Sequence, residues 1–350
     1  MKVTHLVPGF PPTVNGVGDY ALLLALRLRR EFAVESAFIV ADPAWPGSSP
    51  VADFEVTRLR ATNGSDLGLR SGAAHGWLIV HYVPHGYAAR GVPRWLFAAL
   101  RHWHGRILAV FHETYASGPP SSSQFWLSPL QRYLGARLVR LSSACLTSTE
   151  VQGAVIKRWG ADPSRFRVAP VPSNVGEPDR VLPLAERAPR LMLFGGQRER
   201  IYRHHMYALE QLVAGLGLCE VVDVGPPVAG RPSCVGGLQI RATGPLPGAD
   251  IQSLLGQSRI GVMDYPNVYL GKSGVFAAFC AHGLATFNLR PDSRAADGLR
   301  PDLNLLCAGG QAPTVPRLQD VADAARSWYS SRGTRFLAHC VRELLDVDPA

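Results

Sequence analysis

Apolar positions follow two alternating rhythms along this chain. The runs Val3–Val7, Phe38–Val40, Leu78–Tyr82, Ile107–Phe111 and Ala144–Ser148 are short and nearly all apolar, which predicts strands buried on both faces. Between them, Tyr20–Arg30 repeats Leu22, Leu23, Ala25 and Leu26 at helical spacing. Arg94–Arg101, Ser128–Ser142 and Glu150–Trp159 also read as helices. From Val168 to Arg190 the alternation stops, because Pro170, Pro172, Pro178, Pro183 and Pro189 fit neither a continuous helix nor a central strand. It resumes with strands over Arg190–Phe194, Glu220–Val224, Ile260–Met263 and Ala285–Asn288. Helices are predicted over Met206–Leu216, Ile251–Gly256 and Gly274–His282. Val321–Leu345 is largely helical, with Ala322, Ala325, Trp328 and Tyr329 on one face.

Strands alternating with helices predict parallel sheets covered on both faces, hence an α/β fold. The expected layout is a Rossmann-like domain over 1–172, a hinge over 173–189 and a second Rossmann-like domain over 190–335. A C-terminal helix over 336–350 is expected to pack back toward the first domain. No period of 20 to 50 residues recurs, which excludes a solenoid.

Composition narrows the function classes. Of 350 residues, 47% are apolar and 18% charged, so neither disorder nor a coiled coil fits. Lys and Arg (36) exceed Asp and Glu (27), giving a net charge of +9. That excess favours anionic partners: nucleotides, phosphorylated sugars, nucleic acid or an acidic membrane surface. The six cysteines are scattered, with neither CxxC nor CxxH, which argues against a zinc site or a disulfide framework and fits a reducing cytoplasm. No apolar run approaches the roughly 20 residues that span a bilayer. A cytoplasmic protein is expected, and peripheral contact with the inner face of a membrane is compatible with its charge.

Four loops carry candidate chemistry. Asn15-Gly16-Val17-Gly18-Asp19 leads into a helix, where glycine lets backbone amides approach an anion. Gly16-x-Gly18-x-x-Ala21 also fits a dinucleotide fingerprint with Asp42 as ribose ligand, but eight residues with three prolines separate it from its strand. A plain structural turn is the third reading. His112 and Glu113 directly follow a strand, at the carboxyl end where open parallel sheets bind ligands. An imidazole there can donate to, or shuttle protons from, a bound hydroxyl; a structural cap is the alternative. His81 and His85 also flank a strand end, and a structural role suits them equally.

Gly271-Lys272-Ser273 looks like the end of a phosphate-binding P-loop, but Pro266 stands where its first glycine belongs. A lysine with free amides at a helix start still makes an anion site; an ordinary cap is the alternative. Gly195-Gly196 is followed by Arg198, Arg200 and Arg203, which either grip a diphosphate or form a solvated charge run.

In this order, the proline-rich loop with Gly16-Val17, His112 after a strand, Pro172-Ser173-Asn174, Gly195-Gly196 with arginines and the helix start near Lys272 resemble the GT-B glycosyltransferases. The likeness is nearest to family 4, the group that includes the phosphatidylinositol mannosyltransferases. It spans essentially the whole chain. The resemblance implies two Rossmann-like domains whose parallel sheets face each other across an interdomain cleft. It implies a nucleotide-diphosphate sugar as donor, transfer with retention, and neither metal nor cofactor. His112 matches the family's histidine at the reacting sugar. Gly16, Arg198, Arg203, Lys272, Ser273 and Gly274 fall to the donor diphosphate. Val17, Asp19, Glu113, His81, His85 and Asn174 fall to the acceptor side or the cleft. The acceptor is a glycan, a lipid or a small molecule, and nucleic acid is not expected. The chain departs from the family where two glutamates usually flank this helix start: Leu270 and Ala278 occupy those positions. A relative with altered chemistry, or a nucleotide-binding partner subunit without transferase activity, is therefore the alternative.

Overall fold

The computed structural model describes residues 1–59, 76–290, 292, 294–307 and 314–346. The chain divides into two compact units, one comprising Met1–Pro170 and Thr334–Ala350, the other Val171–Gly333.

The first unit is built on β1 (Lys2–Val7), α1 (Gly16–Phe32), β2 (Glu35–Val40), β3 (Glu55–Arg58), β4 (Trp77–Tyr82), α2 (Pro84–Tyr87), α3 (Arg94–Leu100), β5 (Arg106–Phe111), α4 (Ser123–Leu141), β6 (Ala144–Thr147), α5 (Glu150–Arg158) and β7 (Phe166–Val168). Its seven strands form one sheet in the order β3-β2-β1-β4-β5-β6-β7, and every neighbouring pair is parallel. β4 is buried along its whole length, as a nearly all-apolar run in a doubly covered sheet requires, and His81 is its one strongly polar side chain. α1 begins at the glycine loop because the Asn15 side chain caps it, accepting from the amides of Val17 and Gly18 at 3.1 and 2.9 Å.

The second unit follows with β8 (Ala188–Phe194), α6 (Arg198–His204), α7 (Met206–Gly215), β9 (Glu220–Val224), β10 (Cys234–Val235), β11 (Leu238–Gly244), α8 (Gly248–Gln257), β12 (Ser258–Met263), α9 (Gly274–Ala281), β13 (Ala285–Asn288), β14 (Leu306–Cys307) and α10 (Val315–Ser330). Its sheet runs β10-β11-β9-β8-β12-β13-β14, parallel except for the β10–β11 pair at one edge. Residues 173–189 are packed into this unit. The Ser173 amide donates to the Tyr329 hydroxyl at 2.8 Å, Leu184 is fully buried, and the Arg187 guanidinium donates to the carbonyls of Leu182 and Ser258.

The last helical stretch is two helices, separated by a turn that ends at Gly333: α10, and α11 (Thr334–Asp346), which returns to the first unit. α11 buries Leu337, Val341, Leu344 and Leu345 and packs on α1 and β6. The Leu345 carbonyl accepts from Trp77 Nε1 at 3.0 Å. Among the described residues no helix is long and apolar enough to cross a membrane.

Candidate functional site

In an open parallel sheet, ligands bind at the carboxyl ends of the strands where the strand order reverses. In the second unit that point lies between β8 and β12. Two adjoining cavities, of about 250 and 210 Å³, lie there and share Gln197, Tyr265 and Lys272. Gly195 directly follows β8 in the left-handed region at φ 88°, and a Cβ there would come within 2.5 Å of Val275 Cγ2. Glycine thus lets the strand turn close against the start of α9. Ser273 caps α9, its hydroxyl accepting from the Phe276 amide. Ser273, Gly274 and Val275 all line the smaller cavity. The first amides of a helix have no carbonyl partner within it, and the helix dipole adds partial positive charge at the same end.

The larger cavity is lined by Arg200, Lys272 and Arg290 around one buried carboxylate, Asp264. Asp264 Oδ2 accepts from Arg200 Nε at 3.1 Å and lies 3.3 Å from His205 Nε2. Its Oδ1 has no hydrogen-bond partner among the described residues and lies 4.0 Å from Arg290 Nη1. Three cations against one carboxylate leave a net positive cavity suited to an anion.

The arginine run sorts differently from expectation. Arg198, expected at the diphosphate, is buried. Its guanidinium pairs with Asp223 and donates to the carbonyls of Gly195 (2.7 Å) and Pro226 (2.6 Å). Asp223 Oδ2 also accepts from the Tyr202 hydroxyl at 2.8 Å. Every face of Arg198 is therefore committed inside the protein. Arg203 is exposed, pairs with Glu199 one turn earlier, and lines neither cavity. Arg200, from the same run, lines the cavity instead. Asn174 belongs to this unit, with Oδ1 3.7 Å from where a Gly274 Cβ would stand. Leu270 and Ala278 are both buried in the apolar core.

In the first unit, Gly16 opens α1, is exposed, and would meet nothing within 4 Å if given a Cβ. The packing therefore does not demand glycine there. Gly18 is different, because its Cβ would fall 2.5 Å from the Gly9 carbonyl oxygen. The Val17 and Gly18 amides already serve Asn15, so of these three only Gly16's is not held by that cap. Asp19 lies in the first turn of α1, and burial raises its carboxyl above the usual range.

His112 sits just beyond β5, its amide donating to the Tyr82 carbonyl at 3.0 Å and its own carbonyl accepting from Gln152 at 3.0 Å. Its Nε2 is 3.2 Å from His81 Nδ1, and His81 Nε2 is 3.0 Å from His5 Nδ1. His5 Nε2 in turn lies 3.3 Å from the Ser36 hydroxyl. The Tyr20 ring packs edge-on to His112 and His81, with centroids 4.7 and 5.8 Å apart. His85 is exposed on α2 and stands outside this row, while Glu113 is half-buried beside His112. His5 is the member that sequence reading missed. Its signal was an imidazole within an apolar run, which burial obliges to find a partner.

Burial pushes the His5 imidazole down to about 3, and it holds His81 well below its ordinary value, with the neighbouring imidazoles lowering it further. Below pH about 6.5 the unfolded chain takes up a proton at each that the folded chain refuses, so stability falls as pH drops. For His5 the loss runs down to about 3. At pH about 5, His5 alone should cost on the order of 2 kcal/mol. Urea titrations at pH about 7 and about 5 check this, and equal midpoints would refute it.

No family model and no curated protein matches the sequence. Solved structures do. Anabaena HepE in complex with UDP aligns with TM-score 0.62 at 13% identity, over 99% of each chain. An alpha-glucosyltransferase in complex with UDP-glucose and DNA containing an abasic site aligns at 0.62 and 11%, over 99% of this chain and 98% of that one. A putative UDP-N-acetylglucosamine 2-epimerase from Listeria monocytogenes aligns at 0.58 and 15%, over 99% and 96%. The fold is GT-B-like. At these identities the likeness to GT-B structures shows architecture alone: two Rossmann-like units in one chain, each with a parallel sheet, as the alternation of apolar runs implied.

Proposed function

We propose that this GT-B chain is a glycosyltransferase that moves a sugar from a nucleotide-diphosphate donor to a hydroxyl acceptor, with the retaining chemistry of the family 4 enzymes it resembles. The observation that carries the reading is the cationic cavity at the strand-order reversal of the second unit, beside the first amides of α9. Cleavage of the bond between the sugar's anomeric carbon and the β-phosphate oxygen leaves negative charge on the diphosphate. Arg200, Lys272, Arg290 and the amides of Gly274 and Val275 stabilise that charge from fixed positions, the kind of preorganised term that dominates many enzymatic barriers. The acceptor oxygen bonds to the anomeric carbon, and its proton passes to the departing phosphate oxygen. Asp264 Oδ1, buried beside the cavity, accepts from a hydroxyl of the donor. The first unit takes the acceptor, with His112 as the residue that orients its hydroxyl.

Mass spectrometry of the protein with a panel of nucleotide-diphosphate sugars and mixed acceptors tests the reading. Release of nucleoside diphosphate coupled to a glycosylated product is expected. Conversion of the donor to its own epimer would replace the reading with an epimerase, a fold-mate with which the chain aligns over its whole length. Absence of nucleotide binding would overturn it. Lys272→Ala should weaken nucleoside diphosphate binding by about 1–3 kcal/mol in calorimetry, the scale of a charge-assisted hydrogen bond.

A further inference from the structure

The outer side of α4 is built unlike a solvated one. At the pitch of a helix, Phe125, Pro129, Tyr133 and Trp126 fall in one stripe, opposite the buried Gln131 and Leu138, with Arg132 at one border and Arg137 at the other. Arg140 closes the stripe at its carboxyl end. Trp126 is 72% exposed, Tyr133 56% and Phe125 43%. A surface helix ordinarily turns charged and polar residues outward, yet α4 has no acidic residue and presents three aromatic rings there. Trp126 Nε1 donates to the Pro120 carbonyl at 3.0 Å, and Phe125 packs edge-on to Trp126 with centroids 5.3 Å apart. The bordering arginines lie over rings on the two flanks, Arg132 at 4.2 Å from the Tyr115 centroid and Arg137 at 5.6 Å from that of Phe97 on α3. Charge is equally one-sided. From Gly76 to Thr149 the chain has seven arginines, no lysine and a single acidic residue, Glu113, so six of its nine surplus positive charges fall in that stretch. Arg94 and Arg101, at the two ends of the neighbouring α3, are exposed as well.

We propose that α4 docks this protein on the surface of an anionic phospholipid bilayer, its axis lying along the membrane plane. An interfacial helix buries an apolar side at the headgroup boundary while its cations meet lipid phosphates. Trp and Tyr suit that depth, because each joins an apolar body to a polar tip. Phe125, Trp126 and Tyr133 enter the boundary. Arg132, Arg137 and Arg140 reach from its margins to phosphate oxygens, their stems lying on apolar surface while the guanidiniums stay among polar groups. Net charge alone is compatible with any acidic surface; the stripe gives the face and its anchors. Single-stranded nucleic acid is also held by aromatic rings and arginines, but along a cationic groove that tracks its backbone. Here the middle of the stripe is apolar, it lies on the convex flank of a helix, and its cations stand at the edges. Docking through α4 does not depend on the reaction proposed above.

Flotation of the full chain with lipid vesicles is the test. The protein should float with phosphatidylcholine vesicles containing about 30% phosphatidylglycerol, float less with phosphatidylcholine alone, and be released as salt is raised. Trp126→Ala should lower the partition coefficient about tenfold and Arg140→Gln about fivefold. Both side chains are exposed, so neither change disturbs the core. Trp126→Phe should keep most of the binding yet abolish the blue shift of tryptophan emission on vesicles, because the other six tryptophans are buried or half-buried. Absence of flotation on the anionic vesicles overturns the proposal. So does flotation that Trp126→Ala and Arg140→Gln leave unchanged, which would put the contact elsewhere. Retention of a single-stranded oligonucleotide in place of vesicle binding would overturn it in favour of nucleic acid. Self-association that Trp126→Ala abolishes, again in place of vesicle binding, would overturn it in favour of a second copy of the chain.

Discussion

Asp223→Ala should destabilise the protein by about 3–5 kcal/mol, because it leaves the buried Arg198 guanidinium without its counter-charge. Asp223 is 0% exposed on β9, and it holds both Arg198 and the Tyr202 hydroxyl. Removing it leaves two buried donors unmade at once. The loss should appear as a lower urea midpoint with little change of slope. The double variant Asp223→Ala with Arg198→Met should regain part of it, since the uncompensated charge goes too. A double variant less stable than Asp223→Ala alone would show that Arg198 contributes through contacts other than the pair. Arg198→Met by itself should change stability and leave affinity for nucleoside diphosphate within about twofold, since its guanidinium is engaged by Gly195, Asp223 and Pro226.

His112→Ala should lower turnover by about 10²–10³-fold, the cost of removing one preorganised donor from a developing charge. Nucleotide binding should stay nearly unchanged, because the diphosphate contacts in this reading come mainly from the second unit. Tyr20 and His81 lose a ring partner in this variant, so circular dichroism should accompany the kinetics. Loss of nucleotide affinity in step with turnover would move His112 out of the proposed role.

The central strands of both sheets were legible because burial on two faces leaves a nearly all-apolar run. Leu78–Tyr82 and Ile260–Met263 are such runs. The strands that escaped reading lie toward the sheet edges. β3 buries one residue of four, β11 is mostly exposed or half-buried, and β10 and β14 have two residues each. An edge strand needs no apolar run, so pattern carries little trace of it. The loop at Lys272-Ser273-Gly274 could be placed at a helix start because capping chemistry is local. The choice among Arg198, Arg200 and Arg203 could not be made locally. Asp223, 25 residues further on, draws Arg198 inward, and Asp264 faces Arg200. Partners that distant leave no mark on spacing within one helix. The histidine row shows the same limit, since four strands must align before its members meet.

Because α11 completes the first unit after the whole of the second has been passed, the early part of the chain cannot finish its own core on emerging from the ribosome. The apolar flank of α1 and β6 waits for Leu337, Val341 and Leu344, while Val171–Gly333 is contiguous and has all its own strands in hand. Until Thr334–Asp346 has been made, the flank of α1 and β6 that α11 covers stays uncovered, an apolar surface open to aggregation in the nascent chain.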